Sequence, residues 1–438
     1  MSRADGGPES SPPGEARPRV VFGVSGGIAA YKAVEVLRQL TESGHDVHVV
    51  PTAAALRFVG EPTWSALSGH PVATDVWADA DEVRHVRLGR EADLVLVAPA
   101  TADLMARAVS GRSDDLLTAT LLTARCPVVF APAMHTEMWE HPATRANVAT
   151  LRDRGILVID PAVGRLTGAD SGAGRLPEPV EIAAFARAVL ARGPGGVRPD
   201  LAGRRVVISA GGTREHLDPV RFLGNSSSGR QGYALARAAA ARGAEVVVVA
   251  ANVALPDVAG VTTVPVVSAA QLRDAVLAAA KDADLVVMAA AVADFRPAEP
   301  RAHKIKKTDG EPAPVVLLRT ADVLAELVSA RAPGQVLVGF AAETGSPDTD
   351  VITLGREKLA RKGADLMVVN EVGDGLAFGT PDNAAVVLAA DGDETVIPST
   401  TKELLAHRVL DLAQAKLEDQ PGLTRETRAP VASPPERL

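Results

Sequence analysis

The chain of 438 residues has few aromatic residues, a single cysteine and no long apolar run. Aromatic side chains make up 3% of it, which leaves little for stacking on bases and argues against binding of single-stranded nucleic acid. Cys126 has no second cysteine to pair with, so we expect a reducing, cytoplasmic environment. No run reaches the roughly 20 apolar residues that span a bilayer, and the N-terminus lacks the basic-then-apolar pattern of a secretion signal.

Charge excludes two further classes of partner. The formal net charge is −8, and basic residues form no long run. We therefore expect neither a nucleic acid nor an anionic membrane surface as a partner.

What is present indicates two α/β domains, because the chain is too long for one typical core. In each half, buried-type apolar runs alternate with helix-patterned segments, and this βαβ rhythm predicts a parallel sheet covered by helices on both faces. We predict domains over residues 19–192 and 204–416, joined by a linker rich in Gly, Pro and Arg over 193–203. Residues 1–18 and 417–438 are predicted to be disordered tails, from their composition.

The most informative stretch is Ser209–Gly232, which we predict to be one long loop between a buried strand and an Ala-rich helix. Gly211 and Gly212 would let the backbone approach a ligand closely, because glycine has no Cβ. The small polar residues 225–229 precede a helix N-terminus, where free N–H groups and the helix dipole favour an anion. Together with Arg221, these features favour a phosphate-binding loop over a glycine-rich surface loop.

A second turn, Ser25–Lys32, follows the first strand and suits a dinucleotide, a flavin phosphate or mere tight packing. No acidic residue that could hold a ribose hydroxyl ends the second strand, where Pro51 and Thr52 stand, and this argues against NAD. The loop after residues 94–98 contains Thr101 and lies at the edge of the sheet where ligands collect. By itself, a lone histidine such as His85 is more often structural.

Several motifs resemble those of one enzyme family. GGTREHLDPVRFLGNSSSG at 211–229, AAVADF at 290–295 and KIKK at 304–307 closely resemble signatures of phosphopantothenate–cysteine ligases. APATADL at 98–104 and PAMH at 132–135 resemble motifs of phosphopantothenoylcysteine decarboxylases. Over roughly residues 19–415, the chain resembles the bacterial bifunctional family that fuses the two enzymes.

For the N-terminal domain, the resemblance implies a flavodoxin-like fold of the HFCD flavoprotein type that binds FMN. It makes His85 catalytic, as a base or orienter, and places Met134 and Arg175 at the substrate. The residues that it implies for FMN are Ser25, Gly26, Gly27, Ile28, Thr52, Thr101 and Ser113.

Two positions depart from the family. His135 replaces the usual asparagine, and we take it as catalytic on the hypothesis that it assumes the role of that residue. The substrate-covering flap matches residues 164–178, but Gly168–Asp170 stand where many relatives carry a reactive cysteine. His135 is then one candidate for the missing proton donor.

For the C-terminal domain, the resemblance implies a Rossmann-like ligase that activates 4′-phosphopantothenate with CTP before L-cysteine attacks. Asn225 and Lys304 would be catalytic, Arg221 and Asn225 would bind substrate, and Asp294 would hold Mg²⁺. The implied CTP-binding residues are Gly211, Gly212, Asp294, Lys304, Phe340, Lys358 and Lys362.

The implied function is therefore in coenzyme A biosynthesis: CTP-dependent ligation, then FMN-dependent decarboxylation to 4′-phosphopantetheine. The family also implies a homo-oligomer, a trimer-based dodecamer through the first domain and dimers through the second. Two alternatives stay open. The N-terminal domain could be a flavin-binding assembly scaffold beside an active ligase, because two expected residues differ. The chain could also be an NAD(P) oxidoreductase, which the absence of GxGxxG at both strand-one turns disfavours.

Overall fold

A computed structural model describes residues 17–72, 83–165, 171–192, 199–306, 314–344, 349–372 and 382–419. The chain divides into two compact units, Met1–Arg198 and Pro199–Leu438. Most of the residues predicted to form the tails and the linker, and the flap residues Gly168–Asp170, lie outside the described ranges.

The first unit is built on a five-stranded sheet in the order β2-β1-β3-β4-β5, with every neighbouring pair parallel. Its strands are β1 (Arg19–Val24), β2 (Asp46–Pro51), β3 (Leu94–Ala100), β4 (Val128–Pro132) and β5 (Leu157–Val158). All of β3 is buried, as expected of a parallel strand covered on both faces. This strand order is that of flavodoxin-like folds, and it places a crevice where the order reverses, between β1 and β3.

Eight helices and one antiparallel hairpin complete the described part of this unit. The helices are α1 (Ala30–Glu42), α2 (Glu61–Ser68), α3 (Arg84–Glu91), α4 (Ala102–Val109), α5 (Leu116–Thr123), α6 (Thr136–Glu140), α7 (Pro142–Asp153) and α8 (Pro179–Ala191). The hairpin pairs β6 (Ala162–Arg165) with β7 (Ser171–Arg175).

The second unit contains an eight-stranded sheet in the order β12-β11-β8-β13-β16-β17-β18-β19. Its strands are β8 (Arg205–Gly211), β11 (Glu245–Ala251), β12 (Val261–Val266), β13 (Leu285–Met288), β16 (Val336–Glu343), β17 (Leu366–Glu371), β18 (Asp382–Ala389) and β19 (Glu394–Thr401). The first six are parallel and the last two antiparallel. By chain position, the parallel strands follow the Rossmann order 3-2-1-4-5-6, whose switch point lies between β8 and β13.

Helices cover both faces of this sheet. They are α9 (Arg230–Ala241), α10 (Ala269–Ala280), α11 (Val323–Ala330), α12 (Val351–Lys362) and α13 (Lys402–Glu418). α9 and α13 contribute to one apolar core with alternate residues of the strands, and α10 to α12 contribute to the other. The prediction of two α/β domains, one flavodoxin-like and one Rossmann-like, is therefore confirmed.

One expectation needs correction. The stretch Ser209–Gly232 is not a single loop, because β8 continues to Gly211 and α9 begins at Arg230. Between them, β9 (Arg214–His216) pairs antiparallel with β10 (Phe222–Gly224). The guanidinium of Arg214 lies 4.7 Å from the centre of the Phe222 ring, a cation–π contact across the hairpin. Short strands without alternating apolar residues give little signal in sequence, and the hairpin of β14 (Phe295–Pro297) with β15 (Leu317–Arg319) is another such case.

Within the described ranges, no helix combines the length and the apolar character needed to cross a bilayer.

A buried arginine ties three segments of the second unit together. Arg242, 1% exposed, follows α9 and donates to both carboxylate oxygens of Asp200, from Nε at 2.7 Å and Nη2 at 2.6 Å. Its Nη1 lies 3.0 Å from Asp411 Oδ1 and donates to the carbonyl of His407. One guanidinium thus joins the start of the unit, α9 and α13.

Replacing Arg242 by alanine should destabilise the protein strongly. Removing one partner of a buried ion pair costs about 3 to 5 kcal/mol, because the other charges are left uncompensated. Scanning calorimetry of the full chain should show one transition shifted down by on the order of 10 °C.

The matched control is Arg301→Ala, since Arg301 is exposed and pairs with Glu299 at 3.5 Å on the surface. Such a pair contributes roughly 0 to 1 kcal/mol. Equal shifts for the two variants would show that Arg242 does not hold the three segments together.

Candidate active sites

In the first unit, Ser25 joins the ends of two neighbouring strands. Directly after β1, its hydroxyl donates to the carbonyl of Pro99 at 2.7 Å and accepts from the main-chain N–H of Thr101 at 2.9 Å. Ser25 is 2% exposed, and Thr101 caps α4 by accepting from the N–H of Leu104. The structure thus brings Ser25 and Thr101 together at the switch point.

Gly26, directly after Ser25, lets the turn pack closely against Ala54 of the next loop. A Cβ on Gly26 would lie 2.4 Å from the Cβ of Ala54, so this position admits only glycine without a shift of the next loop. Thr52 ends the neighbouring strand and donates its main-chain N–H to the carbonyl of Val24 at 2.9 Å. Gly27 is half-buried and Ile28 is 70% exposed at the mouth of the turn. Six of the seven predicted FMN residues therefore lie in or next to this turn, which we call the cradle: Ser25, Gly26, Gly27, Ile28, Thr52 and Thr101.

The hairpin β6–β7 approaches this edge from the side of β4. Met134 donates its main-chain N–H to the carbonyl of Gly174 at 2.9 Å, and a Cβ on Gly174 would lie 2.3 Å from the oxygen of Met134. Gly174 has a φ of +138°. This close contact brings the predicted substrate residues Met134 and Arg175 into one region, with His135 exposed beside them.

Two charged side chains next to Arg175, the acidic Glu178 and the basic Lys32, were not identified as site residues from the sequence. Glu178 forms an ion pair with Arg175 and lies 3.3 Å from the Nζ of Lys32, in the first turn of α1. Burial, followed by the charge of Arg175, lowers the pKa of Lys32. A concentration of positive charge next to the cradle suits an anionic ligand. The sequence feature that could have indicated this charge cluster is Lys32, the last residue of the turn Ser25–Lys32.

His85 lies in the first turn of α3, and its carbonyl accepts from the hydroxyl of Thr123 at 2.8 Å. The Nδ1 atom of its ring is buried and has no hydrogen-bond partner in the described part of the chain. The hydroxyl of Thr136, next to His135, is likewise buried without a hydrogen-bond partner in the described residues. Buried polar atoms normally find a partner, so both fit a site that is completed by a ligand.

Ser113, the last of the predicted FMN residues, precedes α5. It is exposed in the loop before α5, next to Asp114 and Asp115, both of which form ion pairs with Arg107. Within the described ranges, no hydrogen bond joins Ser113 to Ser25 or Thr101. Arg107, which also pairs with Asp103, fixes this loop and was not recognised from the sequence.

In the second unit, Gly211 and Gly212 join the ends of three neighbouring strands. Gly211 has a φ of +84°, and a Cβ there would lie 2.0 Å from the carbonyl oxygen of Ala251. Gly212 donates to that same oxygen at 3.1 Å, and its own Cβ would lie 2.5 Å from the oxygen of Asn225. The close approach seen at these glycines is to β11 and to the Asn225 loop, whereas the approach to a ligand predicted from the sequence stays a prediction.

The segment after β13 is fixed against this turn. Gly211 accepts from the N–H of Ala291 at 2.8 Å, and the hydroxyl of Thr213 accepts from that of Ala293 at 2.9 Å. The amide of Asn225 donates to the carbonyl of Val292 at 3.0 Å. These bonds bring Gly212, Asn225 and the exposed Asp294 to one edge, and the role of Thr213 was not predicted.

A buried aspartate holds Arg221 against Ile305, the residue that follows Lys304. Asp218, 1% exposed, accepts from the main-chain N–H groups of Val220 and Arg221 at 2.8 Å and of Ile305 at 3.1 Å. Although burial acts to raise it, the pKa of Asp218 lies below its ordinary value because these donors and Arg221 stabilise the carboxylate. Arg221 also donates to the carbonyl of Ile305 at 2.6 Å. Asp218 is a positioning residue that the sequence analysis missed.

Lys358 and Lys362 lie one turn apart on α12. Lys358 is 3.1 Å from Glu343 Oε1, at the end of β16, and Lys362 forms an ion pair with Asp322. Phe340 is half-buried in β16 and packs against the core on the side of α9 and α13. The two lysines are therefore fixed by acids at the carboxyl edge of the sheet, and Phe340 belongs to the strand that carries one of those acids.

Both units thus present small residues, main-chain donors and cations at the carboxyl edge of a parallel sheet. In the second, exposed Asp294 adds a carboxylate beside the cations, a combination suited to a polyphosphate with its metal ion. These arrangements can bind phosphorylated ligands.

Comparison with known proteins agrees with this division. The family model "Flavoprotein" matches residues 9–191, and the model "DNA/pantothenate metabolism flavoprotein C-terminal domain" matches residues 201–417. The chain is 60% identical over 413 residues to the coenzyme A biosynthesis bifunctional protein CoaBC of Mycolicibacterium smegmatis, covering 93% of this chain and 100% of that protein. It is 40% identical over 412 residues to the CoaBC protein of Bacillus subtilis, covering 93% and 98%.

Solved structures match each unit separately. One is the C-terminal domain of a coenzyme A biosynthesis bifunctional protein CoaBC, 37% identical, with a TM-score of 0.42, covering 50% of this chain and 99% of that domain. Another is the FMN-dependent cysteine decarboxylase SpaF, 36% identical, with a TM-score of 0.32, covering 36% and 90%.

The full-length relatives decide the identity, because they match both units in one chain. The prediction of a bifunctional enzyme of coenzyme A biosynthesis, a flavoprotein decarboxylase fused to a ligase, is confirmed. The chain belongs to the family of coenzyme A biosynthesis bifunctional proteins, CoaBC.

Proposed function

We propose that the two units catalyse consecutive reactions. The second unit joins L-cysteine to 4′-phosphopantothenate with CTP, releasing CMP and pyrophosphate. The first unit decarboxylates the resulting 4′-phosphopantothenoylcysteine to 4′-phosphopantetheine with FMN. The observation that carries the proposal is that each unit places glycines and cations at the switch point of its own sheet.

FMN fits the residues of the first unit. Gly26 and Gly27 lie in the turn after β1, which Ser25 joins to Thr101 and which lies next to Thr52, and this turn would hold the phosphate of FMN. The flavin would supply the electron acceptor that lets the cysteine moiety lose CO₂. Ser113 and Ile28 would contact the cofactor only from the exposed rim.

The chain's own groups would orient the substrate and move protons. Arg175, held by Glu178, would bind the carboxylate or phosphate of the substrate. His85 would accept or hold a proton, because its buried Nδ1 has no protein partner in the described residues. His135, exposed after β4, is the candidate proton donor in place of the flap cysteine, and Met134 would line the substrate.

In the second unit, lysines that now form ion pairs with acidic side chains would contact the triphosphate of CTP instead when CTP binds. Lys358 and Lys362 already face acids, and part-exposed pairs of this kind are weak enough to be exchanged. Lys304 would add charge to the phosphates, Asp294 would hold Mg²⁺ and Phe340 would line the nucleotide site. The nucleotide would lie next to the main chain of the turn that contains Gly211 and Gly212. Asn225 and Arg221 would contact the acyl intermediate.

We also propose that the protein assembles through both units, as trimers that build a dodecamer and as dimers. Large apolar side chains are exposed on each unit. Ile28 and Tyr31 are 70% and 62% exposed in the first, and Val316 and Phe295 are 67% and 49% exposed in the second. Such side chains support contacts between copies of the chain. A cytoplasmic location remains a prediction that rests on the single Cys126.

The decisive test is a mass-spectrometric assay of the purified full chain with 4′-phosphopantothenate, L-cysteine, CTP and Mg²⁺. The proposal requires 4′-phosphopantetheine as the final product. If the reaction stops at 4′-phosphopantothenoylcysteine, the first unit is a scaffold and His135 does not replace the missing groups. If CTP is not consumed, the assignment of the second unit is wrong.

In this assay, His85→Gln should lower decarboxylation about 10²- to 10⁴-fold and leave ligation unchanged, because a positioned acid or base contributes roughly that factor. The intermediate 4′-phosphopantothenoylcysteine should therefore accumulate. His141→Asn is the matched control, since it changes an exposed histidine of the same unit. Equal decarboxylation by both variants would assign His85 a purely structural role.

Lys358→Met should raise the KM for CTP about 10- to 100-fold, since a hydrogen bond to a charged group contributes roughly 1.5 to 3 kcal/mol. The KM for L-cysteine should change little. Steady-state kinetics with Lys281→Met, an exposed lysine after α10, provide the comparison. A KM for CTP that matches this control would limit Lys358 to its ion pair with Glu343.

A further inference from the structure

Three potential metal ligands meet at the edge of the first unit that is opposite the cradle. Asp46 and His48 begin the edge strand β2, and, being two residues apart, they lie on the same face of the strand. His70 follows α2, which ends at Gly69 with a left-handed φ of +72°. The one-carboxylate, two-histidine set lies at the amino end of β2, whereas Thr52 of the cradle follows its carboxyl end.

The two imidazoles converge on one carboxylate. His48 Nε2 is 3.2 Å from Asp46 Oδ2, and His70 Nε2 is 2.6 Å from Asp46 Oδ1. The rings stack with centroids 4.2 Å apart and an interplanar angle of 18°. All three ligand atoms lie within 4.8 Å of one another. Ligands bound at about 2.0 Å in a tetrahedron are separated by about 3.3 Å, so only small side-chain shifts are needed to surround an ion.

The local charges are compatible with a cation. The Asp46 carboxylate is the anionic group of the set, and both imidazoles already contact it, from His48 Nε2 and from His70 Nε2. Arg19 also contacts Asp46, from Nε at 3.2 Å, and it has Glu91 as a second acidic partner.

We propose that Asp46, His48 and His70 bind one Zn²⁺-class transition-metal ion through one carboxylate oxygen and two Nε2 atoms. Each imidazole then carries its proton on Nδ1 instead of donating it to Asp46. All three side chains are part-exposed, so water takes the fourth position. Nitrogen ligands favour Zn²⁺, Ni²⁺ or Cu²⁺ over Mg²⁺, which separates this site from the oxygen-rich position of Asp294.

The ion cross-links two segments that are distant in sequence. It fixes the chain after α2 to the start of the edge strand β2, and it contacts nothing at the cradle. We infer a structural role for the metal. Once its free concentration exceeds the dissociation constant, the free energy of unfolding of the first unit rises with the logarithm of that concentration.

The test uses the full chain without an affinity tag, stripped with EDTA and titrated with Co²⁺ and with Zn²⁺. Co²⁺ in this ligand set absorbs in the visible beyond the main flavin band, and calorimetry gives the stoichiometry with Zn²⁺. Wild type should bind one ion that Mg²⁺ does not displace. His70→Gln and His48→Gln should each weaken binding of that ion at least about 10-fold.

The matched control is His45→Gln, since His45 is adjacent in sequence and instead faces the carbonyl of Leu40 at 3.1 Å. It should bind the metal like wild type, and circular dichroism checks that every variant is folded. If the His70→Gln and His48→Gln variants bind the metal as tightly as the control, or if no Co²⁺ absorption appears, the proposal is wrong. The cluster is then only one carboxylate hydrogen-bonded to two histidines.

Discussion

Close approach of main chain to main chain at the carboxyl ends of buried parallel strands is the constraint on which both sites depend. Gly211 and Gly212 allow β8 to meet β11 and the Asn225 loop at distances that no other residue tolerates. Gly26 has the same role against Ala54 in the first unit. Because the strand order reverses at these points, helices leave to opposite faces of the sheet, and a crevice forms at the strand ends that the glycines hold together.

Fixed acids supply the second requirement, which is to hold cations in place before a ligand arrives. Buried Asp218 accepts three main-chain N–H groups and thereby holds Arg221 beside the segment of Lys304. Glu178 does the same for Arg175 and Lys32 in the first unit. A cation that is already oriented loses less side-chain entropy on binding an anion, so these acids contribute to affinity without touching the ligand.

The metal cluster has a different physical origin from the two active sites. Asp46 and His48 share one face of β2 because strand side chains alternate, which can be read from their spacing. His70 joins them only because α2 folds back along that strand and ends at Gly69. The proposed metal ligands therefore lie at the amino end of this edge strand, whereas Thr52 follows its carboxyl end.

The sequence alone was sufficient for the features that depend on local pattern. Apolar runs indicated the buried strands, and β3 contains the residues 94–98 that precede the predicted Thr101 loop. Motifs pointed to the glycine turns and to the family, because glycines and small polar residues at a strand end have few other uses.

Only the tertiary structure decided which distant side chains meet. The contacts of Asp218 with residue 305, of Glu178 with Lys32, and of His70 with Asp46 join segments tens of residues apart. The hairpin β9–β10 was likewise decided by the fold. Long-range pairing follows from the strand order and from how helices pack on the sheet, and neither leaves a periodic signal in the sequence.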